Sequence, residues 1–261
     1  MTNATTLVSA PVTGLLMEGL GTTQKTRVGF PLLRYPKETM QLSSIIFDMD
    51  GVLIDSEPVH KLAKKRAFER FGISLPEDVY EKYRGRPDDT MMIEVVRSIG
   101  DKNLEPEELI RIKHEEFEAI EHMVVPVRGA TEFILWARTR YRIALATSAT
   151  PRNRRAALSL LGLENSFDFI VDSSGYSKPK PDPEVFERAL LGLGTSAEER
   201  LVIEDSLNGI LTAKAAGCIA AAIPTSFTMQ ELARSGADFF VDNFEQLRAL
   251  IETREGGCKA R

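Results

Sequence analysis

Ile45-Ile46-Phe47-Asp48-Met49-Asp50-Gly51-Val52-Leu53 is the stretch on which the reading of the fold turns. Its first three residues are apolar without alternation, the pattern of a strand covered on both faces in a parallel sheet. Two carboxylates follow at once, and in extended backbone their i, i+2 spacing puts them on one side. Asp50-Gly51 between apolar runs also fits a hairpin turn, but the helical period of residues 57–71 leaves a hairpin without its second strand. Read alone, the segment serves a turn as well as it serves chemistry. Two acids at a strand end can nevertheless act as nucleophile and general acid, because their surroundings can push their pKa values apart.

Outward from this strand the pattern is strand, loop, helix, repeated. Ile143-Ala144-Leu145-Ala146 is a second unbroken apolar run, followed by Thr150 as N-cap, Pro151 at the first helical position and Gly162 as the stop. Ala157, Leu158 and Leu161 form that helix's apolar stripe. After Lys178 the same punctuation predicts a helix capped by Asp182, opened by Pro183 and followed by Gly192, with Val185, Phe186, Ala189 and Leu190 inward. Leu201-Val202-Ile203 is a further strand. A helix from Ser206 carries Leu207, Ile210, Leu211 and Ala215 and stops at Gly217, and further strands are expected near 218–223 and 238–241. Such alternation predicts an α/β fold with a Rossmann-like, doubly wound parallel sheet.

Residues 57–128 interrupt the alternation with helical stretches near 58–71, 88–99 and 105–122, punctuated by Pro76, Gly85, Gly100 and Pro126. They are expected to form a small inserted helical cap. The core is then 42–56 together with 129–255, the tail is 256–261, and residues 1–41, which show no sustained period, are a mobile extension.

Composition narrows the function. The chain has 261 residues, 43% hydrophobic and 27% charged, enough to bury a core. Lys+Arg number 33 against 38 Asp+Glu, a net charge of −5, the wrong sign for a protein held by nucleic-acid phosphates. No apolar run reaches the roughly 18–20 residues of a membrane span, and the patch from Leu7 to Leu20, broken by Pro11, Gly14, Glu18 and Gly19, makes a poor signal peptide. Cys218 and Cys258 fit a reducing compartment better than a disulfide scaffold. The expectation is a cytoplasmic protein, monomer or weak dimer, with neither membrane nor nucleic acid as partner.

Ligands of open parallel sheets bind outside the carboxyl ends of the strands, and four expected strand ends carry useful groups. Asp48 and Asp50 are the first pair. Glu204-Asp205-Ser206 follows Ile203; alone it reads first as a helix cap, but carboxylates on neighbouring strand ends also suit Mg²⁺. Thr147-Ser148 precedes a capped helix, where hydroxyls and backbone N–H groups suit a phosphate. Lys178 lies in Ser177-Lys178-Pro179-Lys180-Pro181-Asp182-Pro183, where alternating prolines restrict its direction. Together they make a phosphoryl-transfer site. A carboxylate facing a phosphate dianion meets roughly 4 kcal/mol of repulsion per charge pair at 4 Å and an effective dielectric near 20. A magnesium ion and one ammonium offset that repulsion.

These four motifs, in this order, resemble those of the haloacid dehalogenase superfamily, in the branch of β-phosphoglucomutase and small-metabolite phosphatases; the match runs from Ser44 to about Ile251. The resemblance implies that Asp48 is the nucleophile that forms a phosphoaspartyl intermediate. It implies that Asp50 is the acid and base, and that Lys178 steadies nucleophile and phosphate. By the same resemblance Thr147 and Ser148 bind phosphate, and Mg²⁺ is held by Asp48, the Asp50 backbone carbonyl and Asp205, with Glu204 beside it. Asp50 argues against a dehalogenase proper, whose pattern lacks this acid. His60 matches a substrate-contacting histidine of the mutase. In Arg84-Gly85-Arg86-Pro87-Asp88, however, Asp88 stands where the mutase has an arginine, leaving Arg86 as the substitute. His114 and His122 read as solvent-facing or structural. The function implied is hydrolysis of a small phosphate ester, a sugar phosphate above all, with a β-phosphoglucomutase-type phosphomutase as the alternative. A receiver domain uses similar groups, but its acidic pair comes early in the chain, not last.

Overall fold

A computed structural model describes residues 41–86, 88–100, 104–195 and 200–256. All but the last residue of the expected N-terminal extension, the Asp88 side chain, Cys258 and most of the expected tail lie outside the described residues. In chain order the elements are β1 (Ser44–Phe47), β2 (Ile54–Asp55), α1 (Glu57–Glu69), α2 (Glu77–Lys82), α3 (Asp88–Ile99), α4 (Pro106–Ile120), a 3₁₀ turn (Glu121–Met123) and β3 (Val125–Pro126). Then come α5 (Ala130–Ala137), β4 (Arg142–Ala146), α6 (Pro151–Leu161), β5 (Phe169–Val171), α7 (Glu184–Leu193) and β6 (Arg200–Glu204). The chain continues through α8 (Leu207–Ala215), β7 (Ile219–Ala222), α9 (Met229–Leu232), β8 (Phe239–Phe240) and α10 (Phe244–Gly256).

Six strands form one parallel sheet in the order β5-β4-β1-β6-β7-β8, the α/β doubly wound arrangement expected from the alternation. Strand order reverses at β1, which pairs with β4 on one side and β6 on the other. Phe47 sits level with both Leu145 and Ile203. The strand ends that follow these three residues are therefore neighbours, at the switch point where such sheets bind ligands. The unbroken apolar runs are explained by burial on both faces. Ile45, Phe47, Ile143, Leu145, Leu201 and Ile203 share one cluster with α5, α6 and α10. Ile46, Ala144, Ala146 and Val202 share the other with α7 and α8.

Among the described residues of the segment 57–120 lie α1 to α4, with α2 as an element not foreseen from the sequence. Part of it packs on itself through Phe68, Tyr80, Met91, Met92, Val96 and Leu109. The two chain passages flanking these helices are joined by a short antiparallel ribbon, Ile54 opposite Pro126. It escaped the sequence reading because a two-residue strand has no period.

Capping of α6 follows the expectation: Thr150 Oγ1 accepts from the Asn153 N–H at 3.2 Å, and Gly162 ends the helix at φ +66°. Two other helices differ. α7 begins at Glu184, with Pro183 at the N-cap, and ends at Leu193, with Gly194 as the C-cap. Gly192 is inside it and lies against Phe169, where a Cβ would fall 2.3 Å from the ring. In α8 Leu211 is half exposed and Ala215 exposed, while Gly209, Ile210, Thr212 and Ala213 are buried. That rotation is set by Gly209, which lies against the Glu204 carboxylate, and Thr212 is satisfied by donating to the Asn208 carbonyl at 2.7 Å. No helix among the described residues is long and apolar enough to cross a membrane.

Phe47 is fully buried, with its ring 6.0 Å from those of Phe133 and Phe167. Phe47→Ala is expected to lower unfolding free energy by about 3–5 kcal/mol. Leu191→Ala, at a residue 78% exposed, is expected to stay within about 0.5 kcal/mol, both read by urea denaturation.

Candidate active site

Asp48 is the first residue beyond β1. Its N–H donates to the Ile203 carbonyl at 3.1 Å, extending the ladder one step and fixing its direction. The chain then turns tightly: Gly51 takes φ +77°, and the N–H groups of Leu53 and Ile54 both donate to Met49 O. Asp50 Oδ1 accepts from Ser56 Oγ at 2.5 Å and lies 4.0 Å from His60 Nε2. The two acids thus meet different surroundings. Asp48 is almost wholly buried, whereas Asp50 faces a hydroxyl, an imidazole and the cleft.

The lysine that reaches this centre is Lys180. Its Nζ donates to Asp48 Oδ1 at 2.6 Å and to Glu204 Oε1 at 2.5 Å. Lys178, the residue expected there, is 70% exposed and lies 3.7 Å from Asp182 instead. The physical reason is the loop's anchorage. Glu184 accepts from the Ser177 N–H, the Ser177 hydroxyl and the Lys178 N–H, which pins the first lysine's backbone to the start of α7 and leaves its side chain outside. Lys-Pro-X-Pro occurs twice in overlapping register here, at 178–181 and 180–183. The copy adjoining the helix is the one that points inward, a difference set by the contacts of Glu184 and absent from the sequence pattern.

Glu204 and Asp205 meet different partners, in keeping with the expectation that Glu204 stands beside the metal position. Glu204 Oε2 accepts from the Asp205 N–H, the Ser206 N–H and Ser206 Oγ, at 3.1, 3.2 and 2.9 Å. Its other oxygen takes Lys180. This acid is occupied in holding the lysine and the start of α8. Asp205 Oδ2 accepts from the Ser226 N–H at 3.1 Å and sits where a Cβ on Gly51 would fall, 1.8 Å away. Asp48, Glu204 and Asp205 each present an oxygen within 4.8 Å of the others; the Asp50 side chain is not in that group.

Burial raises the Asp48 carboxyl well above its usual value; Lys180 opposes this, while Glu204 and Asp50 add to it. Asp205 is pushed up to about 8, by burial first and then by Glu204. Burial works against the Lys180 ammonium, but Asp48 and Glu204 outweigh it and raise its pKa, so the lysine stays charged. With the three acids ionised and one ammonium, the cluster carries a net −2. Hard carboxylate oxygens with a twofold negative excess fit a divalent cation of the Mg²⁺ type, which the group Asp48, Glu204 and Asp205 could hold.

The remaining expected residues are distributed around this centre. Ser148 lines the cleft and pairs with the Tyr176 hydroxyl at 3.2 Å. Thr147 is fully buried, and its Oγ1 accepts from the Ala149 N–H, shaping the loop. Arg86 lines the cleft beside the Tyr83 ring. His60 stacks on Phe117 at 4.2 Å, and its Nδ1 lies 3.1 Å from Lys113 Nζ. Lys113 was missed as part of a charged helix. It stands in the buried stripe Leu109, Ile112, Lys113, Phe117, Ile120, and a lysine at a core-facing position is the signal that could have shown it. His114 and His122 are exposed, as expected, and both line the cleft.

Comparison with known proteins agrees with this geometry. Residues 45–223 match the model of the haloacid dehalogenase-like hydrolase family. The chain is 31% identical over 177 residues to a phosphorylated carbohydrates phosphatase of Thermotoga maritima, covering 67% of this chain and 82% of that protein. It is 30% identical over 190 residues to the β-phosphoglucomutase of Bacillus subtilis, covering 70% and 83%. A crystal structure of a hydrolase from Pseudomonas syringae superposes with a TM-score of 0.71 at 25% identity, covering 81% of this chain and 98% of that one. With the motifs, the sheet order and the acid cluster in agreement, the chain belongs to the haloacid dehalogenase-like hydrolase family.

Proposed function

We propose that this hydrolase removes the phosphoryl group from a small phosphorylated carbohydrate, with Mg²⁺ as cofactor and a phosphoaspartyl intermediate on Asp48. The observation that carries the reading is the convergence of Asp48, Lys180 and Asp205 at the floor of a cleft of about 850 Å³, with Asp50 beside them. Relatives named as a phosphorylated carbohydrates phosphatase and, in Escherichia coli, a fructose-1-phosphate phosphatase support it. In this reading residues 57–128 are the cap over a core of 42–56 and 129–255.

Asp48 attacks phosphorus and the bond to the leaving oxygen breaks. Asp50 gives that oxygen its proton, then takes one from the water that cleaves the acyl phosphate. Lys180 holds Asp48 in place and keeps its positive charge throughout. Magnesium bound by Asp48 and Asp205 would supply the additional positive charge that offsets repulsion between nucleophile and phosphate. Ser56 and His60 orient Asp50 between its two duties. The His60–Lys113 pair also suits the phosphomutase alternative, in which the sugar, not water, receives the phosphoryl group. Release of inorganic phosphate against formation of an isomeric sugar phosphate separates the two.

With Mg²⁺ and a panel of sugar phosphates, Asp48→Asn is expected to abolish phosphate release. Lys180→Ala should lower kcat/KM by roughly 10²–10³-fold, the scale of losing one charge-stabilising group. Lys178→Ala should leave it within about twofold, because that side chain is solvated. A second expectation concerns stability. Because Asp205 binds its proton up to about pH 8 in the folded state but only to the ordinary carboxylate range when unfolded, unfolding releases a proton between these values. Metal-free protein should therefore lose thermal stability as pH rises from about 4 to about 8, and added Mg²⁺ should restore it. A stability flat across that window, unmoved by Mg²⁺, would contradict the assignment of Asp205.

A further inference from the structure

The cleft is larger than the chemistry at its floor requires. Its volume of about 850 Å³ lies toward the upper end of the roughly 300–1,000 Å³ of clefts that enclose whole drug-sized ligands. A phosphoryl group and one hexose would fill only part of that volume. The same cleft has two walls away from Asp48 in the chain. One carries His114 of α4 and, just past that helix, Glu121 and His122; the other carries Asn153, Ser159 and Leu160 of α6. From Asn153 to Leu160 the wall extends about 10 Å, at 1.5 Å per helical residue. Arg152 ties the walls together, donating to the two carboxylate oxygens of Glu121 at 2.7 and 3.1 Å and approaching Glu118 at 3.4 Å.

The chemistry of this outer part differs from that of the floor. None of these six residues is a lysine or arginine, the intervening Ala156 and Ala157 are apolar, and Arg152 is shared by Glu121 and Glu118. A second phosphate therefore has no strong partner here. Two imidazoles, an amide and a hydroxyl supply both donors and acceptors, and Leu160, 52% exposed, offers an apolar surface to the C–H face of a sugar ring. We propose that this outer compartment binds the second, uncharged ring of a two-ring carbohydrate monophosphate, so that phosphorylated disaccharides or glycosides are preferred over hexose phosphates. The proposal rests on the hydrolase reading above and names its substrate class.

The test compares phosphate release by the full chain, with Mg²⁺, from glucose 6-phosphate and from disaccharide monophosphates such as trehalose 6-phosphate and sucrose 6-phosphate. At least one two-ring ester is expected to exceed glucose 6-phosphate in kcat/KM by roughly tenfold, the scale of a well-filled extra subsite. His122→Ala and Leu160→Ala, both at exposed positions, should each reduce that ratio roughly threefold or more, through KM and not kcat. Equal or better use of glucose 6-phosphate, or a ratio unmoved by both variants, overturns the inference while leaving the phosphatase reading intact. No release from any ester overturns the phosphatase reading and this inference together.

Discussion

A single buried ammonium holds the site together. Lys180 lies between Asp48 and Glu204, closer than 3 Å to both, and all three side chains are withdrawn from water. Carboxylates placed so near one another inside a protein repel by several kcal/mol and lose their hydration as well. Burial, Glu204 and Asp50 all raise the Asp48 carboxyl, and Lys180 is the group that works against them. The lysine also fixes the carboxylate's direction, and Glu204 turns its second oxygen to the N–H groups that open α8. The same crowding reaches a third acid, Asp205, whose carboxyl is pushed up to about 8 by burial and by Glu204.

Two glycines make this crowding possible. A Cβ on Gly51 would strike Asp205, and one on Gly209 would strike Glu204, each at 1.8 Å. The backbone approaches from the β1 side and from the α8 side until only carboxylates fit between. The sheet order supplies the rest. Because β1 is flanked by β4 and β6, residues about 100 and 155 positions from Asp48 in the chain reach one rim, and helices α1 and α4 lie above it. The constellation is thus a consequence of topology, held in detail by one cation and two missing side chains.

Much of this was legible in the sequence, for identifiable reasons. The non-alternating runs at 45–47, 143–146 and 201–203 announced strands buried on both faces, and Thr150-Pro151 with Gly162 marked one helix well. The acids at 48, 50, 204 and 205 were readable because they directly follow such runs. Lys180 was not distinguished from Lys178, since two overlapping copies of one motif differ only in how the loop is tied to α7, which is a tertiary contact through Glu184. Lys113 was hidden by the charges around it. Gly192 looked like a helix end because a glycine needed for close packing against Phe169 is indistinguishable in one sequence from a glycine that stops a helix. The rotation of α8 was likewise set by contact with Glu204, not by the helix's own pattern.

The most direct measurement is a crystal structure of the full chain grown with Mg²⁺ and beryllium trifluoride, which caps a phosphorylatable carboxylate. The account predicts the beryllium on Asp48, the Lys180 ammonium within hydrogen-bond reach of the fluorides or of Asp48, and the metal shared by Asp48 and Asp205. Beryllium on another acid, or Lys178 in place of Lys180 at the adduct, would contradict it.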